Sequence, residues 1–322
     1  MWKIRKRYGI LKEYENCTKG ESKMKLFREE GTWRKGNLHT HTTLSDGQRS
    51  VEECVALYKE AGYEFLAITD HHKNYPGGMM DGVLLLGGVE LHNNGFSPIR
   101  RCYHITGIGI EKPVEMEPNG DPQEMVRRIR ECGGFVTLAH PAWSLMTYEE
   151  VDALVGDDGV DAIEIWNGVS GVYSGRGDSS AYIDVLAARG KLLPFTAVDD
   201  THYYKKDLFS GFVRVKTEEC SREAILQALR EGQFYASQGP EIHQITVDEE
   251  TCAVSVETSP LQSVIFYTDS FYAPGRVVEA EEGGAVTQAS YTPTRWDHVV
   301  RVEGIDHAGK RVWSNYIKLN RE

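Results

Sequence analysis

Near its start the chain reads Gly36-Asn37-Leu38-His39-Thr40-His41-Thr42-Thr43-Leu44-Ser45-Asp46-Gly47. The two histidines alternate with leucine and threonine, which is the period-two pattern of a β-strand. Residues two apart on a strand point to the same face, so the two imidazoles are expected to converge. The pattern ends at a serine-aspartate-glycine turn signal that carries a carboxylate. Two imidazoles and a carboxylate are a start on a metal site, and a strand with merely exposed histidines is the alternative that this stretch alone leaves open.

Length, composition and charge restrict the classes of function. The chain has 322 residues, enough for one large α/β domain with an appendage or for two domains. Apolar residues make up 40% and charged residues 26%, an ordinary globular composition. The formal net charge of −12 argues against binding of long nucleic acid, which needs a basic surface. A small phosphate ester remains compatible with this charge if metal ions supply the positive charge.

The cysteines and the apolar runs predict a cytoplasmic protein. The six cysteines have no paired short spacing, which indicates reduced thiols rather than a zinc knuckle or a disulfide framework. No apolar run approaches the roughly 20 residues that span a bilayer. The basic residues among positions 3–7 imitate the start of a signal peptide, but no long apolar core or cleavage site follows them. We therefore predict neither secretion nor a membrane segment.

The order of strand-like and helix-like segments predicts an α/β fold. In residues 31–240 the two kinds of segment alternate about seven times, as in a parallel barrel or a doubly wound sheet. Helices are expected to begin after Ser50, with Glu53 completing a capping box, and at Asp121. Residues 1–30 form a basic N-terminal arm in this division. Residues 241–322 show short alternating segments typical of a small antiparallel β-sandwich, to which we assign a packing or substrate-shaping role.

Polar residues with metal-binding side chains fall at or just past the ends of the predicted strands. In a barrel the carboxyl ends of the strands share one mouth, where active sites are built. Scattered core histidines would not be expected to respect strand ends. His104 is the exception, because it stands at the start of its strand-like run. The residues in question are His39, His41, Asp70, His71, Glu90, His104, His140, Asp200 and His202.

This ordered set resembles the PHP (polymerase and histidinol phosphatase) family of metallophosphoesterases. The resemblance covers residues 36–240, and its motifs include Thr69-Asp70-His71, Ala139-His140-Pro141 and Asp200-Thr201-His202. It implies a distorted seven-stranded (β/α) barrel with two to three divalent metal ions, zinc, manganese or iron, at its mouth. The segment from Arg230 to Glu241 and the end of the chain are similar to a branch that has a small C-terminal β-domain and takes its name from a carbamate hydrolase.

The resemblance also implies a set of metal ligands. One ion would be held by His39, His41, Glu90 and Asp200, a second by Glu90, His104 and His140, and a third by Asp46, His71 and His202. The register leaves Asp199 open as a replacement for Asp200, although the Asp-x-His spacing favours the latter. His72 or His92 could also enter the ligand set, and a role beside the metals or facing substrate is favoured for both.

Further roles are hypotheses for residues near the mouth. Asp70 and His72 are assigned to catalysis, Asp70 by orienting a metal ligand or by accepting a hydrogen bond from His71 or another imidazole, with a strand-end cap as its alternative. A glycine-rich loop, 168–177, is a candidate lid over the site. The candidate substrate contacts are Arg101, Trp143, Asn167 and Arg176.

The function predicted from these features is hydrolysis of a small phosphate mono- or diester, such as a nucleotide or a sugar phosphate. A hydroxide that bridges two of the metal ions would attack phosphorus, because metals lower the pKa of bound water. Two alternatives share the site: a metal-dependent hydrolase of a carbamate or other ester, and a non-catalytic binding protein whose metals are structural. The expected partner is a small phosphate ester, with no membrane and no long nucleic acid; the oligomeric state is left open.

Overall fold

The computed structural model describes residues 23–95, 102–271 and 274–319, which form a mixed α/β structure. Its strands are β1 (Lys23–Lys25), β2 (Thr32–Asn37), β3 (Phe65–Ala67), β4 (Gly78–Met80), β5 (Val83–Leu86), β6 (Gly88–Asn94), β7 (Cys102–Ile108), β8 (Phe135–Leu138), β9 (Ala162–Asn167), β10 (Phe195–Val198), β11 (Phe212–Thr217), β12 (Phe234–Ser237), β13 (Ile242–Asp248), β14 (Val254–Leu261), β15 (Ser263–Thr268), β16 (Val277–Glu279), β17 (Val286–Tyr291), β18 (Val299–Ile305), β19 (Arg311–Ser314) and β20 (Ile317–Lys318). Its helices are α1 (Val51–Glu60), α2 (Pro122–Glu131), α3 (Tyr148–Ala153), α4 (Gly168–Ser174), α5 (Ser180–Ala188) and α6 (Arg222–Arg230).

The strands of the predicted barrel belong to two sheets. One sheet has the order β10-β9-β8-β7-β6, and the other includes β11-β2-β3-β5-β4. The chain passes from one sheet to the other at Gly87, between β5 and β6. Isolated bridges link the sheets at two seams, His71 to Glu90 and Thr40 to Thr201. The α/β class is confirmed, whereas the ladders do not close into the expected seven-stranded barrel.

One strand runs against the direction that the sequence pattern predicts. β7 pairs antiparallel with both β6 and β8, while β8, β9 and β10 pair in parallel. The start of an antiparallel strand lies at the same edge as the ends of its parallel neighbours. His104, near the start of β7, therefore lies beside the residues that follow the other strands, and the exception in the sequence pattern is explained.

The opening strand is shorter than the alternation of residues 38–42 predicts. β2 ends at Asn37, and the two histidines follow it in an irregular segment that is hydrogen-bonded to the segment after β10. The amide of His41 donates to the carbonyl of Thr201 at 3.2 Å, and the amide of Asp200 donates to the carbonyl of His39 at 3.0 Å. These long-range bonds replace a strand ladder at this seam, so the predicted strand is wrong here although the histidines do converge.

The helix starts follow their capping residues as predicted. Ser50 caps α1 in a capping box with Glu53, and Asp121 caps α2. The prediction of a loop at the glycine-rich segment 168–177 is wrong, because α4 occupies most of the segment. That helix is capped by Asn167 at its start and ends at Gly175, whose φ of 68° suits a residue without a side chain.

The residues after 240 form two packed antiparallel layers. One layer has the order β1-β13-β14-β17, and the other, β16-β15-β18-β19, continues through β12 and β11 into β2. Part of the predicted arm thus contributes a strand to the C-terminal layers, while residues 1–22 lie outside the described residues. Aromatic residues such as Phe27, Phe266 and Tyr235 fill the space between the layers, and each fully buried ring of this size contributes about 2–3 kcal/mol. The division into domains at residues 30 and 240 remains a prediction.

No helix in the described parts of the chain is long and apolar enough to cross a membrane. Within the described ranges Cys54, Cys102, Cys132 and Cys220 are free thiols. The cytoplasmic location remains a prediction.

Candidate metal centre

Six histidines and three carboxylates converge at the edge where the two sheets meet. Most of them are buried, whereas Asp46, His71 and His202 are partly exposed and face the solvent side. Three subsets offer ligand atoms that all lie within 4.8 Å of one another. We call the whole set the Glu90 cluster; it consists of His39, His41, Asp46, His71, Glu90, His104, His140, Asp200 and His202.

The centre of the Glu90 cluster is a group of four atoms from two seams. The Nε2 atoms of His39 and His41 lie 3.1 Å apart. Oε2 of Glu90 is 3.3 Å from the first and 3.1 Å from the second. Oδ1 of Asp200 is 3.2 Å from the first and 3.1 Å from the second. All four residues are at most 3% exposed, so this group lies in the protein interior.

A second group surrounds Glu90, with His104 and His140 from the same sheet as Glu90 and His71 from the other sheet. Nδ1 of His104 is 2.9 Å from Oε1 of Glu90, and Nδ1 of His71 is 2.9 Å from Oε2. His140 lies slightly further away, with Nε2 3.5 Å from Oε1 of Glu90 and 3.7 Å from Oδ2 of Asp200. The Glu90 carboxylate therefore faces the first and second groups of side chains, whose metal ions it would bridge according to the resemblance.

The third group is the exposed part of the cluster. Oδ2 of Asp46 is 3.7 Å from Nε2 of His71 and 3.5 Å from Nε2 of His202. The ring of His202 also stacks on that of His41, with the centroids 4.1 Å apart. The structure thus places His71 between the second and third groups, whereas the resemblance assigns it to the third alone.

The donor set of the Glu90 cluster fits divalent cations. A neutral imidazole nitrogen without hydrogen and a carboxylate oxygen are both acceptors, and acceptors repel one another unless a positive charge lies between them. Oε2 of Glu90 and Oδ1 of Asp200 are buried and have no hydrogen-bond donor within the described residues. Buried polar atoms of this kind need a partner, and imidazole with carboxylate is a ligand set that zinc, manganese and iron accept.

The charges of the protein without metal agree with this interpretation. Burial lowers the pKa of the His39 imidazole, but Asp200 and Glu90 outweigh burial and raise this pKa well above its usual value. The same balance raises the pKa of His41. Burial would raise the pKa of Glu90, yet the neighbouring imidazoles hold it well below its usual value. Protons therefore supply the positive charge when no metal is present, and metal ions would have to displace them.

The neighbouring aspartates 199 and 200 have different surroundings. The Asp199 carboxylate accepts hydrogen bonds from the Tyr58 hydroxyl at 2.6 Å and from the amides of Phe209, Ser210 and Gly211 at 2.7–2.9 Å. Its acceptor capacity is used by the protein itself. Asp200 has the positive φ of 52° and directs Oδ1 into the Glu90 cluster. The geometry thus favours Asp200 over Asp199 as the ligand.

Asp70 contacts the turn between His41 and Asp46. Its carboxylate accepts hydrogen bonds from the amide and hydroxyl of Thr42, both at 2.7 Å, and from the hydroxyl of Ser45 at 2.6 Å. The expected bond from an imidazole is not among its contacts in the described residues. Asp70 therefore holds the turn that carries Asp46, in agreement with the predicted orientation of a ligand, and its catalytic assignment remains a prediction.

His72 and His92 lie next to the Glu90 cluster. Nδ1 of His92 is 3.1 Å from Nδ1 of His71, and burial lowers the pKa of His92 to about 4. Nε2 of His72 accepts the amide hydrogen of His92 at 3.3 Å. This arrangement agrees with positions beside the metals, and the catalytic assignment of His72 remains a prediction.

Sequence reasoning did not select Glu164, and the substrate contact that it assigned to Asn167 remains a prediction. Glu164 is buried in β9 and accepts a hydrogen bond from Nδ1 of His39 at 2.7 Å. The only sequence signal was a charged residue inside an otherwise apolar strand. Asn167, predicted to bind substrate, directs its amide nitrogen to Glu164 at 2.8 Å and to Asp200 at 3.0 Å. Its amide oxygen accepts the Ser170 amide hydrogen, so the geometry points to a positioning role.

Of the other predicted substrate contacts, Trp143 lies at the Glu90 cluster. Its ring is 38% exposed and packs edge-on against His140 and His104, with centroid distances of 4.9 and 5.6 Å. Arg176 is exposed and follows α4. Arg101 lies outside the described residues. The contacts of Arg176 and Arg101 with substrate remain predictions.

The fold has a counterpart among solved structures. A two-domain protein from Bacteroides vulgatus, described as containing a PHP-like metal-dependent phosphoesterase, matches with a TM-score of 0.53 and 15% identity, over 93% of this chain and 91% of that chain. This chain has a PHP-like fold. The resemblance seen in the sequence is thereby confirmed at the level of the fold, and the structural match extends over nearly the whole of both chains.

Other similarities cover less of the chain. A metal-dependent phosphoesterase from Bifidobacterium adolescentis matches with a TM-score of 0.41 and 16% identity, over 55% of this chain and 90% of that chain. A phosphoribosyl 1,2-cyclic phosphate 1,2-diphosphodiesterase from Eggerthella lenta is 33% identical over 82 residues, which are 24% of this chain. The match spans 31% of the length of that relative. No family model matches the sequence.

Proposed function

We propose that this protein is a metal-dependent phosphoesterase that hydrolyses a small phosphate mono- or diester at a trinuclear metal site. The observation that carries the proposal is the pair of buried carboxylate oxygens, from Glu90 and Asp200, that face imidazole nitrogens instead of hydrogen-bond donors. With neutral imidazoles, this arrangement sets acceptors against acceptors, and it therefore suits bound cations.

The proposed ligands follow the three groups of the Glu90 cluster. His39, His41 and Asp200 hold the first ion and share Glu90 with the second, for which His104 and His140 are the other ligands. Asp46, His71 and His202 hold the third. Divalent cations at these positions would lower the pKa of coordinated water and offset negative charge on a phosphate.

The protein groups around the cluster provide binding and orientation. The third group is partly exposed, so the non-bridging oxygens of a phosphate can reach it without opening the core. Trp143 forms an apolar wall beside His104 and His140, where the ester group of the substrate can pack. Buried neighbours such as Asp70 and Asn167 hold the ligands in place before substrate arrives, which reduces the reorganisation that the reaction requires.

A phosphate ester is favoured over a carbamate by two features. A site for three cations supplies more positive charge than a neutral ester requires, and a phosphate dianion requires it. The matched relative from Eggerthella lenta is a phosphodiesterase by its name. The candidate substrates are nucleotides and sugar phosphates.

The test compares three model substrates. Protein stripped of metal with a chelator and reloaded with Mn²⁺, Zn²⁺ or Fe²⁺ would be assayed with p-nitrophenyl phosphate, with its bis-ester and with an aryl carbamate. We expect turnover of at least one phosphate ester only after reloading. Turnover of the carbamate alone would replace the proposal by the ester-hydrolase alternative. Full metal loading without turnover of any of the three, or of a panel of nucleotides and sugar phosphates, would favour a binding protein.

A further inference from the structure

Glu164 connects three residues of the Glu90 cluster that come from different strand ends. Its Oε1 accepts the Nδ1 hydrogen of His39, which follows β2, at 2.7 Å. Its Oε2 accepts the backbone amide hydrogen of His140, which follows β8, at 2.9 Å. The same oxygen accepts a side-chain amide hydrogen of Asn167 at 2.8 Å. The side-chain amide of Asn167 also donates to Oδ2 of Asp200, which follows β10, at 3.0 Å. One buried carboxylate is thus the common anchor of three segments.

We propose that Glu164 is a positioning residue that sets the hydrogen-bonding state of His39 and the conformations of His140 and Asp200 for metal binding. The proposal rests on the proposed function, because it assigns to Glu164 a role in that same site. A neutral imidazole that donates from Nδ1 carries its lone pair on Nε2. Nε2 is the nitrogen of His39 that faces His41 and Asp200.

The conformation of His140 provides an independent reason for an anchor. Its φ of 27° is rarely adopted by residues with a side chain and persists only where surrounding contacts enforce it. The bond from its amide to Glu164 is such a contact. Without this acceptor the segment is free to relax, and the imidazole would move away from Glu90.

Glutamine cannot replace Glu164 in this arrangement. Three hydrogens, from His39, His140 and Asn167, point at its two oxygens, and all of them require an acceptor. A glutamine side chain has one acceptor oxygen and one donor nitrogen. Whichever way the amide is turned, its NH₂ group meets at least one donor, so Glu164→Gln disturbs the anchor while it hardly changes the side-chain volume.

Asp161, three residues before Glu164, offers a matched control. It is also buried, precedes β9 and accepts hydrogen bonds from the amide of Val136 at 2.8 Å and from Arg130 at 2.9 Å. These partners belong to the packing of β8 and α2 rather than to the Glu90 cluster. Asp161→Asn therefore removes a buried carboxylate close to Glu164 without affecting the anchor.

The experiment measures metal binding directly. Wild type, Glu164→Gln, Glu164→Asp and Asp161→Asn would be stripped of metal, checked for folding by circular dichroism, and titrated with Zn²⁺ against a chromophoric chelator. We expect Glu164→Gln to bind at least one ion about 10–100-fold more weakly, the range typical of residues that orient metal ligands. Glu164→Asp keeps two acceptor oxygens but places them one methylene further from their donors, so it should recover part of the lost affinity. Asp161→Asn should bind Zn²⁺ as wild type does. Spectra with Co²⁺ should change for Glu164→Gln alone, and its kcat should fall more than its KM rises.

The results separate this inference from the proposed function. Binding of Zn²⁺ to folded Glu164→Gln with wild-type stoichiometry and affinity would overturn the role of Glu164 and leave the proposed function standing. An equal loss in Asp161→Asn would also overturn it, because the effect would then reflect packing. If Glu164→Gln does not fold, the comparison of Glu164→Asp with Asp161→Asn decides by the same criteria. Lack of divalent metal binding in wild type would contradict the proposed function, and this inference with it.

Discussion

Two regions of the molecule bury several charged side chains, and they neutralise the charges differently. In the C-terminal layers Arg301 is fully buried and donates from Nε and Nη2 to the two oxygens of Asp184, at 2.8 and 2.9 Å, and from Nη1 to Glu303 at 2.9 Å. In the Glu90 cluster the buried carboxylates face imidazoles that are acceptors when neutral. We call the first set, Arg301 with Asp184 and Glu303, the Arg301 network.

The difference shows which buried charges belong to the fold and which need a ligand. Every charge of the Arg301 network has an opposite charge within the chain, and α5, which carries Asp184, is thereby joined to β18. The Glu90 cluster lacks such internal cations among the described residues, and the protein leaves buried oxygens without donors there. Burial of charge is costly in both places, so only a bound cation or added protons can offset it in the second.

The largest effect is expected from Glu90→Ala. One carboxylate faces the ligands of two ions, so its removal should lower the metal stoichiometry by two and reduce turnover by more than the ~10–100-fold typical of residues behind the ligands. Metal analysis of the purified variant and a phosphatase assay measure this. Glu303→Ala is the matched control, because it removes a buried glutamate from the Arg301 network and should keep full stoichiometry. Full metal content in Glu90→Ala would contradict the bridging position.

Replacement of Arg301 should affect stability alone. Arg301→Met leaves the half-buried Asp184 without its cation and the buried Glu303 with Arg311 as its remaining cation, and we expect a loss of about 3 kcal/mol in the free energy of unfolding, at the lower end for a broken buried pair. Urea denaturation of the metal-free protein measures the loss. The metal stoichiometry of the folded variant should equal that of wild type. A change in metal binding would show that the two regions are coupled.

Asp297, a buried carboxylate in the C-terminal layers, tests through the pH dependence of stability whether hydrogen bonds within the protein offset a buried charge. Burial opposes ionisation of Asp297, but the hydroxyls of Ser270, Thr268 and Tyr291 outweigh burial and lower its pKa below the usual value. A lowered carboxylate pKa stabilises the fold above the unfolded-state value, near pH 4, and this contribution is lost as pH falls further. Asp297→Asn should therefore cost about 2 kcal/mol at neutral pH and progressively less below about pH 4. Urea titrations at several pH values test this, and a constant difference would contradict it.

The smallest effect is expected from Trp143→Ala. The ring is partly exposed and lies at the rim of the Glu90 cluster, so its loss should hardly change stability. If the ring packs against substrate, KM should rise about fivefold, the equivalent of the ~1 kcal/mol that an aromatic contact provides. Tyr148→Ala, at an equally exposed aromatic residue on α3, is the control and should leave KM unchanged. Equal KM values for both variants would place the substrate elsewhere.

Local signals in the sequence were sufficient for the helix starts and for most members of the Glu90 cluster; Asp46, in a turn, and His104, at the start of its run, did not follow the strand-end pattern. Ser50 and Asp121 cap helices because their side chains reach amides only two or three residues ahead, which requires no tertiary information. The other histidines and carboxylates could be selected because they stand at the ends of strand-like runs. The choice between two adjacent aspartates could not be made in this way, because it depends on donors from Tyr58 and from the segment around Ser210.

The sequence by itself determined the α/β class, the helix caps and the residue types that gather at the Glu90 cluster, because these follow from periodicity and short-range hydrogen bonds. Only the tertiary structure decided that β7 runs antiparallel and that β2 ends before its histidines. It also decided that Glu164 anchors three separate segments. These features depend on pairing between residues far apart along the chain, and the free energy of such pairing is not contained in any local pattern.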